Sequence, residues 1–331
     1  MTRLRQLLDD LPGPDEEAAA AVHARAADIL RPSGALAWLD ELAAWIAGWH
    51  RTPMPRVTKP VGLIFAADHG VAAAENVSAY PTAVTAAMFK AFQHDRSTIS
   101  TFARHAGAEV FAVDVGIGRP TGDIRTEAAL SEARFDEIVT LACSAVDKLD
   151  GDLLVVGEMG IGNTSPSAAI AAALAGGETA AWVGRGTGVD DAGLDRKLAA
   201  VQQAVRRIAG VTDPLDVLRE VGGAELVAVA AAVAAARHRS MPVVLDGYVV
   251  TASVLPLVMV NPAELDHCIV GHCSAEPGHR RLLERLGKRP LLDLDMRLGE
   301  GSGAMAAVPL VAMACAGITD VPTFEEWFGP P

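Results

Sequence analysis

Glu300 stands between two glycines, in Leu298-Gly299-Glu300-Gly301, just ahead of a long apolar stretch. A helix entrance takes Glu for capping and dipole reasons alone. Flanking glycines, however, weaken helix propensity and let a ligand approach the carboxylate closely. A carboxylate on glycine backbone beside an apolar lobe suits a general base, because partial desolvation can tune its pKa. A second carboxylate, Glu158, lies in the glycine-rich turn Gly157-Glu-Met-Gly-Ile-Gly-Asn-Thr164. The apolar run from Leu153 feeds this turn, and Ser165 and Pro166 follow as a candidate N-cap and first helical residue. Glycine amides and a helix N-terminus favour an anion. Glu158 would repel a phosphate placed directly against it and suits a cationic or proton-bearing part of a ligand. The turn is neither the Walker pattern nor the full dinucleotide fingerprint, and a purely structural tight turn is the alternative.

Three further segments carry polar residues at telling positions. Asp68-His69-Gly70 ends an apolar run and is followed by Val77-Ser78-Ala79-Tyr80-Pro81; a loop cap would use the same aspartate. Gly184-Arg-Gly-Thr-Gly188, with Lys197 beyond it, is a candidate anion cradle, although Lys197 fits a solvated helix residue equally well. Asp266–His279 holds two Cys, three His and two carboxylates. It lacks both Cys-x-x-Cys and His-Glu-x-x-His, and Cys268 to Cys273 is too long for a paired-ligand knuckle. That spacing argues for a buried hydrogen-bonded loop, shaped by Glu276 and the histidines, with no metal.

The elements that must position these residues follow from apolar patterning. Short Val/Leu runs at Val61–Ala67, Ala108–Val115, Leu153–Gly157, Ala180–Gly184 and Val243–Asp246 read as strands. Helical stretches at Thr82–Ala106, Ser167–Ala175, Ala192–Ile208 and Ala224–Arg237 separate them. That alternation predicts an α/β fold with a parallel, Rossmann-like sheet, whose ligands sit beyond the C-terminal strand ends. Residues 1–50 read as helical, the chain beyond 256 as loop-rich, and Ala304–Ala316 as a closing apolar helix. The expected division is a helical segment 1–58, an α/β nucleotide-binding core 59–290, and a segment 291–331 that completes a smaller helical lobe.

Composition sets the class. In 331 residues, half hydrophobic but only 5% aromatic, the core must be built from Ala, Val and Leu. A net charge of −13 argues against nucleic-acid or anionic-membrane binding, though local cations could still hold one phosphate. Four cysteines are too few for a disulfide framework, the N-terminus turns acidic too early for a secretory signal, and stretches such as Ala168–Ala175 are too short to span a bilayer. A cytoplasmic enzyme is expected.

Taken in order, these segments resemble the nicotinate-nucleotide–dimethylbenzimidazole phosphoribosyltransferases, which make the lower-ligand nucleotide of cobalamin. The matching motifs are Asp68–Gly70, Val77–Pro81, Gly157–Thr164, Gly184–Gly188, Ser274-Ala-Glu-Pro-Gly-His279 and Arg297–Gly301. The resemblance implies a homodimer without metal or cofactor, acting on nicotinate mononucleotide and a benzimidazole base. It places the catalytic base at Glu300 and a second site carboxylate at Glu158. Substrate contacts would fall on Ser78, Tyr80, Met159, Gly160, Gly162, Asn163, Gly186, Lys197 and Leu298. The chain departs from the family where Val84-Thr-Ala-Ala-Met88 lacks a customary Gln and His94-Asp-Arg-Ser97 replaces a Gly-Gly pair. It also has a shorter Gly116–Ala128 segment, with Ser165 and Ser302 in place of threonines. With Ala86 and Ala87 near the missing Gln, the acceptor pocket is expected to discriminate poorly among bases. A related transferase with a purine or phenolic acceptor, or a non-catalytic nucleotide-binding regulator, are the competing readings.

Overall fold

Runs such as Leu153-Leu-Val-Val156 carry no polar alternation, the pattern of a strand covered on both faces. A computed structural model, which describes residues 1–330, shows six strands: β1 (Pro60–Ala67), β2 (Glu109–Gly116), β3 (Leu153–Met159), β4 (Val243–Leu245), β5 (Cys268–His272) and β6 (Pro290–Leu292). They form one sheet in the order β2-β1-β3-β4-β5-β6, and every pairing is parallel. The chain leaves β1 for β2 on one side, then returns to place β3 on the other. That reversal falls between β1 and β3, and parallel sheets bind ligands beyond their C-terminal strand ends.

Two apolar layers sandwich the sheet. On one face, Leu63, Phe65, Leu154, Val156 and Leu245 pack beneath helices 132–147, 164–175, 224–238 and 248–260. Ala224–His238 is buried along nearly its whole length, and its alanines let the helix axis approach the strands closely. On the other face, Ile64, Val155, Val244 and Ile269 meet helices 38–50, 83–93, 98–106 and 302–319. The helix Glu16–Asp28 packs outside this second layer, with Val22 and Ile29 against Ala43, Ala47 and Ile318. Ser302–Thr319 is long and apolar enough to cross a membrane by length and composition, but Met305, Val308 and Val311 lie on the sheet as core residues.

Several boundaries differ from the sequence expectation. Ala180–Gly184 is no strand; a 3-10 turn, Thr179–Trp182, occupies its place, pinned where Trp182 Nε1 donates to the Gly176 carbonyl (2.9 Å). Two strands went unread: β5 hides behind its polar ends, and β6 is only three residues long. The region after 256 is therefore mostly regular, with helices Tyr248–Val260 and Pro277–Leu286 flanking β5. The helical stretch 82–106 is broken into Ala83–Gln93 and Thr98–Ala106, because Asp95 takes a left-handed turn and Ser97 caps the second helix. Helix Thr164–Ala175 begins earlier than expected, with Asn163 at its N-cap, while the Ser165 hydroxyl is buried without a partner.

Candidate active site

The C-terminal strand ends bring the polar residues together. Glu158 closes β3, Asp246 follows β4, and His272 ends β5 with Ser274 and Glu276 after it. The loop beyond β6 supplies Arg297 and Glu300. These side chains line a cavity of about 370 Å³, whose remaining wall includes Tyr80, Val84, Met88, Met159, Tyr248 and Leu298. The lining thus combines carboxylates with an apolar set of side chains. Of the residues that the sequence nominated, Tyr80, Glu158, Met159, Gly160, Asn163, Gly186, Leu298 and Glu300 all line this cavity.

Three nominated residues do not line it. The Ser78 hydroxyl shares a 2.9 Å hydrogen bond with Thr187 Oγ1, tying its loop to the Gly184–Gly188 turn. Gly162 has φ +90°, and a Cβ there would sit 2.7 Å from the Ala72 methyl. It makes the turn possible, and its open side faces a neighbouring helix. Lys197 is 1% exposed rather than solvated. Its Nζ donates to Thr164 Oγ1 (2.9 Å) and to the Gly184 carbonyl (2.7 Å), and burial lowers its pKa to about 8, with Glu276 opposing. Ala86 and Ala87 are likewise off the cavity wall, which Val84 and Met88 form instead.

The Gly184–Gly188 turn is braced from within. Gly186 N–H donates to Glu276 Oε1 (2.9 Å), while Arg297 Nη1 donates to the Gly186 carbonyl (2.7 Å). That amide is already taken, so the anion cradle suggested by the glycine spacing is closed at Gly186. Asp68 does act as a loop cap, its Oδ2 accepting from Gly118 N–H (2.8 Å). His69 turns inward onto Glu225 (2.5 Å), both fully buried, in space left by the missing side chains of Gly160 and Gly223.

The two glutamates differ from ordinary carboxylates. Glu158 is buried and accepts a hydrogen bond from Asn163 Nδ2. Burial, then the charges of Glu225 and Asp246, raise its pKa to about 8. Glu300 is also buried, and its Oε2 has no protein partner. Burial is the main cause that raises its pKa to about 7; the Ile99 backbone opposes this and Asp246 adds to it. A carboxylate with a free oxygen and a pKa near neutrality can accept a proton at working pH.

Cys268 and His267 lie elsewhere in the fold. Cys268 is in β5, its thiol pushed well up by burial. His267 bonds to the Val233 carbonyl (2.9 Å), and burial brings its pKa down to about 3. Among the described residues, no three His, Cys, Asp or Glu side chains are grouped to hold a metal ion.

Sequence reasoning missed Asp246, His272 and Arg297 as cavity residues. The signal for Asp246 was present: it directly follows the apolar run Val243–Leu245, the position that drew attention to Asp68. His272 was hidden with β5, and Arg297 became a cavity residue only through the path of its loop.

Comparison with known proteins places these features in context. The model of a family described as phosphoribosyltransferase matches residues 11–327. A nicotinate-nucleotide–dimethylbenzimidazole phosphoribosyltransferase of Mesorhizobium japonicum is 46% identical over 327 residues, covering 98% of this chain and 97% of the relative. One of that name from Methylocella silvestris is 46% identical over 326 residues, covering 98% and 94%. Among solved structures, CobT from Thermus thermophilus superposes with a TM-score of 0.90 at 38% identity, covering 95% of this chain and 99% of that one.

Proposed function

The chain belongs to the nicotinate-nucleotide–dimethylbenzimidazole phosphoribosyltransferase family, and on that premise we propose that Glu300 is its general base. In this reading the enzyme transfers the phosphoribosyl group of nicotinate mononucleotide to a benzimidazole nitrogen. The observation that carries it is Glu300 itself, a buried cavity carboxylate with a partner-free oxygen and a pKa of about 7.

One ring nitrogen of the neutral base attacks the anomeric carbon and forms the new C–N bond. The bond to the pyridinium nitrogen breaks, its electron pair leaving with nicotinate, whose ring becomes neutral. Glu300 accepts the proton from the other benzimidazole nitrogen, so the product is not left as a cation. Attack opposite the leaving group inverts the anomeric centre, giving α-ribazole 5′-phosphate. The apolar wall of Tyr80, Val84, Met88 and Leu298 offers a flat bicyclic base its contact surface. Glu158, with a pKa of about 8, is mostly protonated at neutral pH. It therefore adds little negative charge to a cavity that must admit a phosphate.

The test is incubation with nicotinate mononucleotide and dimethylbenzimidazole, separating products by chromatography. Free nicotinate and α-ribazole 5′-phosphate should appear together, and only when the base is present. Nicotinate release without a benzimidazole product, or product from adenine or phenol alone, would overturn the reading. In competition at equal concentrations, benzimidazole and dimethylbenzimidazole should both be consumed, since residues 84–88 give the cavity only Val84 and Met88 and no side-chain amide to orient one base over the other.

A further inference from the structure

Gly299, Glu300 and Gly301 have φ of +84°, +66° and +85°, three successive residues in the left-handed region. Glycines enter that region freely, but a residue with a side chain does so at a cost. A strained non-glycine residue persists only where its surroundings over-determine it, and such strain gathers at reactive sites. Here the surroundings are specific. Asp246, fully buried, accepts from Gly301 N–H through Oδ2 (3.2 Å) and from Ala304 N–H through Oδ1 (2.9 Å). It thereby caps helix Ser302–Thr319 from the loop after β4, a helix with no side-chain cap of its own. Ser302 closes the turn, its amide (3.0 Å) and hydroxyl (2.7 Å) both donating to the Gly299 carbonyl. Against the turn's back, a Cβ at Gly157 would stand 2.3 Å from the Glu300 carbonyl oxygen.

We propose that Asp246 is a positioning residue for the reaction: its bidentate grip on the Gly301 and Ala304 amides holds the left-handed turn that presents Glu300 to the cavity. The inference rests on Glu300 being the base. Asp246 also contributes charge. The charged and titratable groups facing the cavity with Glu300 are Glu158, Asp246, His272, Glu276, Arg297 and the phenols of Tyr80 and Tyr248. Of their charges, that of Asp246 adds to burial in raising Glu300. His272 Nε2 lies 3.4 Å from Asp246 Oδ1, the oxygen that also accepts from Ala304 N–H. A residue that only stabilised the fold would leave the proton affinity of Glu300 alone. One that holds and tunes the base changes both geometry and titration.

The experiment compares wild type, Asp246→Asn and Glu300→Gln in steady-state kinetics across about pH 5 to 9. Asp246→Asn keeps shape but loses the carboxylate, so kcat should fall about tenfold or more, with KM for nicotinate mononucleotide changed less than about threefold. The rising limb of its pH profile should also shift to lower pH, because removing a neighbouring negative charge lowers the pKa of Glu300. An unshifted limb in a folded Asp246→Asn variant overturns the inference alone, provided Glu300→Gln still abolishes turnover. Turnover retained in Glu300→Gln overturns the base assignment, and the inference with it. Should Asp246→Asn fail to fold, thermal unfolding of Glu300→Gly and Glu300→Ala reads the turn directly. A left-handed turn held by its clamp makes the glycine variant the more stable of the two, by about 1 to 3 °C. The reverse order overturns the inference.

Discussion

The two glycine-rich turns that flank the cavity treat their carboxylates in opposite ways. In the turn after β3, Glu158 belongs to the regular strand, bonds to Asn163, and leaves the positive φ to Gly162. In the turn after β6, Glu300 itself takes the positive φ, between two glycines that do the same, and keeps one oxygen without a partner. Both groups are buried and both have raised pKa values. One is relaxed and satisfied, the other strained and free. Under the proposed function, burial alone does not single out the base; burial together with strain and an unused lone pair does.

The contrast is broken or sharpened first by conservative replacement of each carboxylate. Glu300→Gln should cut turnover about 100-fold or more at neutral pH, the scale expected when a general base is lost. Near-normal turnover in a folded variant would erase the distinction between the turns. Glycine 162 gives the next largest effect, on stability. Gly162→Val forces a branched residue to φ +90° with its Cβ 2.7 Å from Ala72. It should destabilise by about 2 to 4 kcal/mol, from backbone strain and overpacking together. A variant that unfolds like wild type but binds nicotinate mononucleotide weakly would return Gly162 to the substrate site.

Glu158→Gln should have the smaller kinetic effect. Glu158, at about 8, is mostly neutral at pH 7, and Gln imitates a neutral acid. A loss of only several-fold is expected at pH 7, on the scale of one altered hydrogen bond. A loss equal to that of Glu300→Gln would show that both turns carry indispensable charge. The same pKa values bear on stability. Each glutamate has a folded pKa above its unfolded value near 4.5. The folded state therefore binds more protons between the two values, and stability falls as pH rises through about 5 to 8. The double Glu158→Gln, Glu300→Gln variant should show a shallower decline in melting temperature over that range. An unchanged slope would place both pKa values near normal. The smallest effect is expected from metal removal. Chelators should leave turnover unchanged, as the described residues group no metal-ligating side chains at either turn. Loss of activity restored by one particular ion would assign chemistry to a part of the cavity that the two turns do not explain.

The parallel α/β class and its long buried strands were legible because continuous Val/Leu runs need cover on both faces, whichever helices supply it. Glu158 and Glu300 were legible because glycines beside a carboxylate follow from local backbone rules. Elements without a local signature were not: β6 is three residues long, β5 ends in His272, and the Ala180–Gly184 run looks like a strand until the sheet closes without it. Lys197 could not be told from a surface lysine on its own helix; only packing against Thr164 and Gly184 buries it. The hold on Glu300 lay furthest beyond sequence. Asp246 is 54 positions earlier than Glu300 in the chain, on another strand end, and meets Gly301 and Ala304 only because β4 and β5 are neighbours and helix Ser302–Thr319 runs back across them. The sequence determined which residues could do chemistry, since glycine spacing and side-chain type are local properties. Tertiary structure decided which of them share a cavity, which are strained and which are already satisfied, since those depend on contacts between distant strand ends.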